Sequence, residues 1–175
     1  MFHRRHGAPE APAELQRYQM REQLFSIGDD FYIEDEHQQR VFRVDGKVLR
    51  LRQTLLFEDM HGHELLKIQE KVVRVRDTME IERGNGVAAR VHSALISPLR
   101  DRYKIDVPGG ADLSAHGNIL DHEYVIEQQG QKIAEISKKW FRLRDTYGVE
   151  IAPGQDDILI LAITTIIDRM SREGR

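Results

Sequence analysis

Cysteine is absent from the 175 residues, which excludes disulfides, thiolate zinc sites, iron–sulfur clusters and cysteine nucleophiles. Neither sign of charge dominates, since 26 Lys and Arg stand against 29 Asp and Glu, a formal net of −3. A globally basic nucleic-acid binder is thereby disfavoured and no nucleic acid is expected as a partner, although a local basic patch is allowed. No run reaches the roughly 18–20 apolar residues that span a bilayer. Met1 to Gly7 is basic but has no apolar stretch behind it, so it does not read as a secretory signal. The expectation is a cytoplasmic protein. Catalytic signatures are missing as well: there is no G-x-S-x-G elbow and no phosphate-binding loop. Gly84-Asn85-Gly86 lacks the third glycine and the following helix of a dinucleotide fingerprint. No cofactor and no catalytic residue is expected.

What is present has a globular balance, 40% hydrophobic and 31% charged. Residues 1–16 read as a flexible tail containing His3, Arg4, Arg5, His6, Pro9 and Pro12, with no helix or strand period. Residues 17–175 read as a single domain. Short apolar–polar alternations follow one another from Tyr18 onward, with turn residues between them. Val41, Phe42 and Val44 precede Asp45-Gly46, and Leu55-Leu56-Phe57 leads into His61-Gly62. Val87, Ala89 and Val91 alternate after Gly84-Asn85-Gly86; Tyr103, Ile105 and Val107 alternate before Pro108-Gly109-Gly110. About a dozen strands at this spacing indicate a mainly β protein, a sandwich or a barrel.

Ile158 to Ile167 breaks the texture. It reads ILILAITTII and is apolar on all sides except Thr164 and Thr165. Asp156-Asp157 offers a helix start, and Arg169, Arg172 and Gly174 offer an end. β-branched composition favours a strand, whereas length and the lack of period-2 alternation favour a helix. A helix apolar on every side must be buried on every side, and the inside of a closed barrel achieves that. A buried strand and an oligomer interface are the competing readings.

The chain also repeats itself at an offset of 68 residues. Gly62 to Thr78 matches Gly130 to Thr146, with Arg74-Val75-Arg76-Asp77-Thr78 against Arg142-Leu143-Arg144-Asp145-Thr146. Two similar β halves follow from this. If both matching segments are strands, Arg74 and Arg76 share one face and Arg142 and Arg144 share its counterpart, with Lys138 extending the second row. Phe141 and Leu143 then face inward with Val73 and Val75. Such rows form a candidate site for a phosphate or lipid headgroup, because arginine binds phosphate with two parallel hydrogen bonds. A solvated face balanced by Glu70 and Glu80 is the plainer reading. Arg100, Arg102 and Lys104 form a second basic row of the same kind.

Eight histidines are present, but none has the spacing of a metal site, so no metal is expected. His61 and His63 flank a turn, and His122 stands between Asp121 and Glu123. A hydrolase using His122 with either carboxylate would need a pocket holding these side chains. Trp140-Phe141 offers an aromatic pair beside the basic row, with Phe141 the better core candidate.

Taken together, Leu24 to Phe31, Val44-Asp45-Gly46-Lys47, Asp106-Val107-Pro108-Gly109, Leu120 to Tyr124, Ser137 to Phe141 and Asp145 to Gly154 resemble the LURP-one-related family, its bacterial branch especially. The resemblance runs from about Tyr18 to Met170. It implies a Tubby C-terminal-like fold, a closed barrel of roughly twelve strands around a hydrophobic C-terminal helix. Related groups are the tubby proteins, which bind phosphoinositides through basic surface residues, and the phospholipid scramblases, which act at membranes. Plant members are linked to pathogen defence. No catalytic residues carry over. The implied function is non-enzymatic binding of anionic phospholipid or phosphoinositide headgroups, with peripheral membrane contact. The alternative is a protein-interaction or scaffold module serving stress or defence. The ten or so strongly apolar residues of the helix are too few to cross a bilayer.

Overall fold

The computed structural model describes residues 14–21, 30–46, 48–49, 52–73, 76–94, 102–141 and 145–173. Thirteen strands and one helix occur among them. In chain order they are β1 (Gln16–Arg21), β2 (Phe31–Asp35), β3 (Arg40–Asp45), β4 (Val48–Leu49), β5 (Arg52–Asp59), β6 (Glu64–Val73), β7 (Arg76–Arg83), β8 (Gly86–Ser93), β9 (Arg102–Asp106), β10 (Leu113–Asn118), β11 (Glu123–Gln128), β12 (Gln131–Ser137), β13 (Thr146–Ile151) and α1 (Asp157–Glu173).

Each hairpin pairs with the next, β1 inserts between β2 and β13, and β3 pairs with β5. These contacts close a ring of twelve antiparallel strands, with β4 attached to β5 beside it. The alternation in the sequence is the alternation of the wall. In β9, Tyr103 and Ile105 are buried while Arg102, Lys104 and Asp106 are exposed, so one face looks inward and the other to water.

The helix fills the ring. Leu159 to Ile167 are buried without a break, and Leu161, Ala162, Ile163, Ile166 and Ile167 are wholly enclosed. A barrel of about eight strands is filled by its own side chains, whereas twelve leave room for a helix about 10 Å across. Enclosure by apolar walls explains why composition did not make this segment a strand. The wall already satisfies its own backbone, so a segment inside it must satisfy its backbone internally. Thr164 and Thr165 fit this interior because their hydroxyls donate to the carbonyls of Ile160 and Leu161, each at 2.9 Å. Asp156 caps the start, its Oδ1 accepting the Leu159 N–H at 3.1 Å.

The duplication is visible in the pairing. Ile68 opposes Ile81 in the first half and Ile136 opposes Val149 in the second, both positions shifted by 68 residues. The turns at Gly62 and Gly130 share φ values of 83° and 79°. The halves differ beyond Val73 and Ser137. β6 continues to Val73 and pairs it with Arg76, whereas β12 stops at Ser137 and β13 starts only at Thr146.

Strand direction gives the barrel two distinct rims. Asp156 and Asp157 lie at an entry rim with the links β2–β3, β5–β6, β7–β8, β9–β10 and β11–β12. The far end of α1 reaches the exit rim, where β6–β7, β8–β9, β10–β11 and β12–β13 are joined.

Candidate functional site: the exit rim

Of the five cations expected to form an anion site, Arg74, Arg142 and Arg144 lie outside the described residues. Arg76 opens β7, and Lys138 follows the last residue of β12. Arg100 of the second row is also outside the described residues, while Arg102 and Lys104 are exposed on β9. The register fixes the strand ends that flank them. Val73 and Arg76, Ser93 and Arg102, and Ser137 and Thr146 all end at the exit rim.

A compact set of hydrogen bonds shapes the chain leaving β12. The Ser137 hydroxyl donates to the Glu123 carboxylate, with both oxygens at 3.0 Å, and the Lys138 N–H donates to Glu123 Oε1 at 3.1 Å. Ser137 Oγ in turn accepts the Lys139 N–H at 3.1 Å. Lys139 Nζ stands 3.6 Å from Glu123 with its side chain 81% exposed. Glu123 therefore organises this segment.

Trp140 and Phe141 then turn back over the outer face of β13. Tyr147, Val149 and Ile151 point into the core, so Gly148 between them faces outward. A Cβ at Gly148 would come within 2.6 Å of Phe141 Cε2 and 2.7 Å of Trp140 Cε3. The glycine is the seat on which both rings rest. Arg17 on β1 places its guanidinium 5.8 Å from the Trp140 ring centre. The expectation that Phe141 faces the barrel interior from a strand is thus corrected. β12 has already ended, and both half-buried rings lie outside the wall.

Inside the same rim, the β10–β11 turn presents His122 with a φ of 54°. Its Nε2 lies 2.7 Å from Asp168 Oδ1, with side-chain exposures of 6% and 2%. The Tyr147 ring stacks on the imidazole, centroids 4.2 Å apart, and Arg172 Nε donates to Asp168 Oδ1 at 3.3 Å. Burial, and then the Asp168 charge, push the Tyr124 phenol well above its ordinary range. Asp121 instead accepts from the Asn118 amide at 2.6 Å. The carboxylate that the structure sets on the His122 ring is Asp168, where the hydrolase reading named Asp121 or Glu123. Sequence reading missed the partner because Asp168 lies 46 residues away on the helix.

The entry rim carries a cluster of carboxylates. Glu36, Asp59, Asp112, Asp156 and Asp157 gather there, beside an open groove of about 500 Å³ at Pro153, Gly154 and Gln155. Arg83 grips Asp156 with bonds of 2.6 and 3.1 Å, and the Tyr18 hydroxyl donates to Asp157 at 2.7 Å. Burial raises the Asp156 pKa, but Arg83 and the Leu159 N–H outweigh it and hold the carboxyl below its usual range. The His63 backbone N–H, helped by the His63 ring and the His61 N–H, holds Asp59 down to about 2. A depressed carboxyl contributes stability above its unfolded pKa and loses it as pH falls through the folded one. The melting temperature is therefore expected to hold down to about pH 5 and fall between about pH 4 and 2. Asp59→Asn should melt lower than the native chain at pH 7, with the difference closing across that window.

Among the described residues no three His, Asp or Glu side chains are placed to hold a metal ion, and no helix is long and apolar enough to cross a membrane. A closed antiparallel barrel threaded by one apolar helix has the architecture of the tubby-like barrels. The LURP-one-related family model matches residues 16–168, and the chain belongs to that family. An Arabidopsis thaliana protein known from its X-ray structure shares the fold, with a TM-score of 0.69 and 16% identity over 91% of this chain and 93% of that one. No curated protein matches the chain.

Proposed function

We propose that this barrel is a non-enzymatic binding protein whose exit rim docks on anionic phospholipid headgroups, phosphoinositides included. The observation that carries the reading is convergence. Antiparallel closure brings the strand ends flanking Arg74, Arg76, Arg142 and Arg144 to one rim, together with Lys138 and Lys139. Carboxylates gather at the opposite rim, which orients the molecule toward a negative surface despite its net charge of −3. Peripheral contact from the cytoplasmic side follows from this reading, with no cofactor involved.

The test is co-sedimentation with neutral, phosphatidylserine and phosphoinositide vesicles at low and physiological salt. Binding only to anionic vesicles, weakening with salt, is expected. Each basic residue near such a surface contributes ~1 kcal/mol, so Arg142→Glu with Arg144→Glu should weaken binding by about thirtyfold or more. Unchanged binding of the double variant sinks the assignment of these arginines. No binding of the native chain at low salt moves the function to a protein partner.

A further inference from the structure

Trp140 is the chain's single tryptophan, and it lies against the outer face of the barrel at Gly148 rather than in the core. Tryptophan combines a large apolar ring with one N–H donor, which suits it to the boundary between headgroups and acyl chains. Its surroundings match that boundary. Lys139 precedes it with a side chain 81% exposed and Nζ 3.6 Å from Glu123, and the Arg17 guanidinium, which also pairs with Glu150 at 2.7 Å, stands 5.8 Å from the ring centre. Cations beside an aromatic ring place charge among phosphates while the ring reaches deeper. The half-buried ring rests on Gly148 beside Phe141, while the Glu123–Ser137 hydrogen bonds fix the chain just before it.

We infer that Trp140 is an interfacial anchor, a side chain that enters the headgroup–acyl boundary of an anionic bilayer when the exit rim docks. This rests on the lipid-binding reading and adds insertion of a named residue to electrostatic contact. It also accounts for the divergence of the two halves. The first half closes β6 onto β7 at Val73 and Arg76, whereas the second departs from the wall after Ser137 and sets two aromatic rings outside it.

With one tryptophan, the native chain reports on its own anchor. Its emission is read on vesicles of phosphatidylcholine alone, on vesicles containing phosphatidylserine, and on the latter with brominated acyl chains. Co-sedimentation is measured in the same samples. The expected result is a blue shift with phosphatidylserine and quenching by the brominated chains, neither appearing with phosphatidylcholine alone. Trp140→Ala should bind about tenfold more weakly, and Trp140→Phe should recover part of the loss. Co-sedimentation with unchanged, unquenched emission overturns the anchor and leaves electrostatic docking standing. Absence of co-sedimentation overturns the lipid reading itself, and the anchor with it. Because the emission experiment uses the native chain, it decides the question even if Trp140→Ala fails to fold.

Discussion

Ile163→Asp is expected to yield no folded barrel. Ile163 is completely enclosed, with Leu159 to Ile167 buried around it on the helix and the barrel wall on every side. A carboxylate there would have no paired cation, and an unpaired buried charge costs several kcal/mol. Protonation reduces that cost but still leaves a polar group in an apolar interior. Domains of this size are stable by about 5–15 kcal/mol, so one such substitution consumes most or all of the margin. The measurement is the soluble fraction together with far-ultraviolet circular dichroism. Ile163→Val is the control, expected to cost about 1 kcal/mol and to fold. A soluble, cooperatively melting Ile163→Asp protein would mean that the helix is not enclosed.

Asp168→Ala comes next in size. Asp168 joins the helix to the wall through His122 at 2.7 Å and draws in Arg172 at 3.3 Å, all at the exit rim. Removing Asp168 takes away the buried hydrogen bond at His122 Nε2 and the one from Arg172 Nε, a cost of about 3 kcal/mol. At roughly 2–4 °C per kcal/mol for a domain of this length, the melting temperature should fall by about 10 °C. Replacing His122 and Asp168 together by leucine should restore part of that loss, since no polar group is then stranded. If Asp168→Ala melts within a degree or two of the native chain, the pair does not secure the helix.

These two positions also mark where the sequence was and was not informative. Ile163 was legible because burial on all sides of a helix is a property of one continuous segment. The strand texture was legible for the same reason. Tyr103 and Ile105 alternate with charged neighbours, and His61-Gly62 and Gly84-Asn85 punctuate the wall where hairpins turn. The duplication was legible and extends to identical register at Ile68–Ile81 and Ile136–Val149. The His122–Asp168 pair was not, because a turn and a helix 46 residues apart meet only after the ring has closed. Phe141 misled for a related reason. Its match to Val73 predicted an inward strand residue, but β12 ends four residues earlier and Gly148 offers the rings an outside seat.

Closure of the ring also dictates an order of assembly. The seam between β1 and β13 brings together residues as distant as Arg17 and Glu150, 133 positions apart. The helix comes after β13 in the chain, yet it must be inside before the seam shuts. Early hairpins such as β5–β6–β7 can form locally within microseconds, but the last joining step waits for the most distant parts of the chain. Until then the free edges of β1 and β13 and the apolar plug are all exposed to neighbouring chains. Yield on refolding should therefore depend steeply on protein concentration, as it does for chains whose final contacts are their longest-range ones.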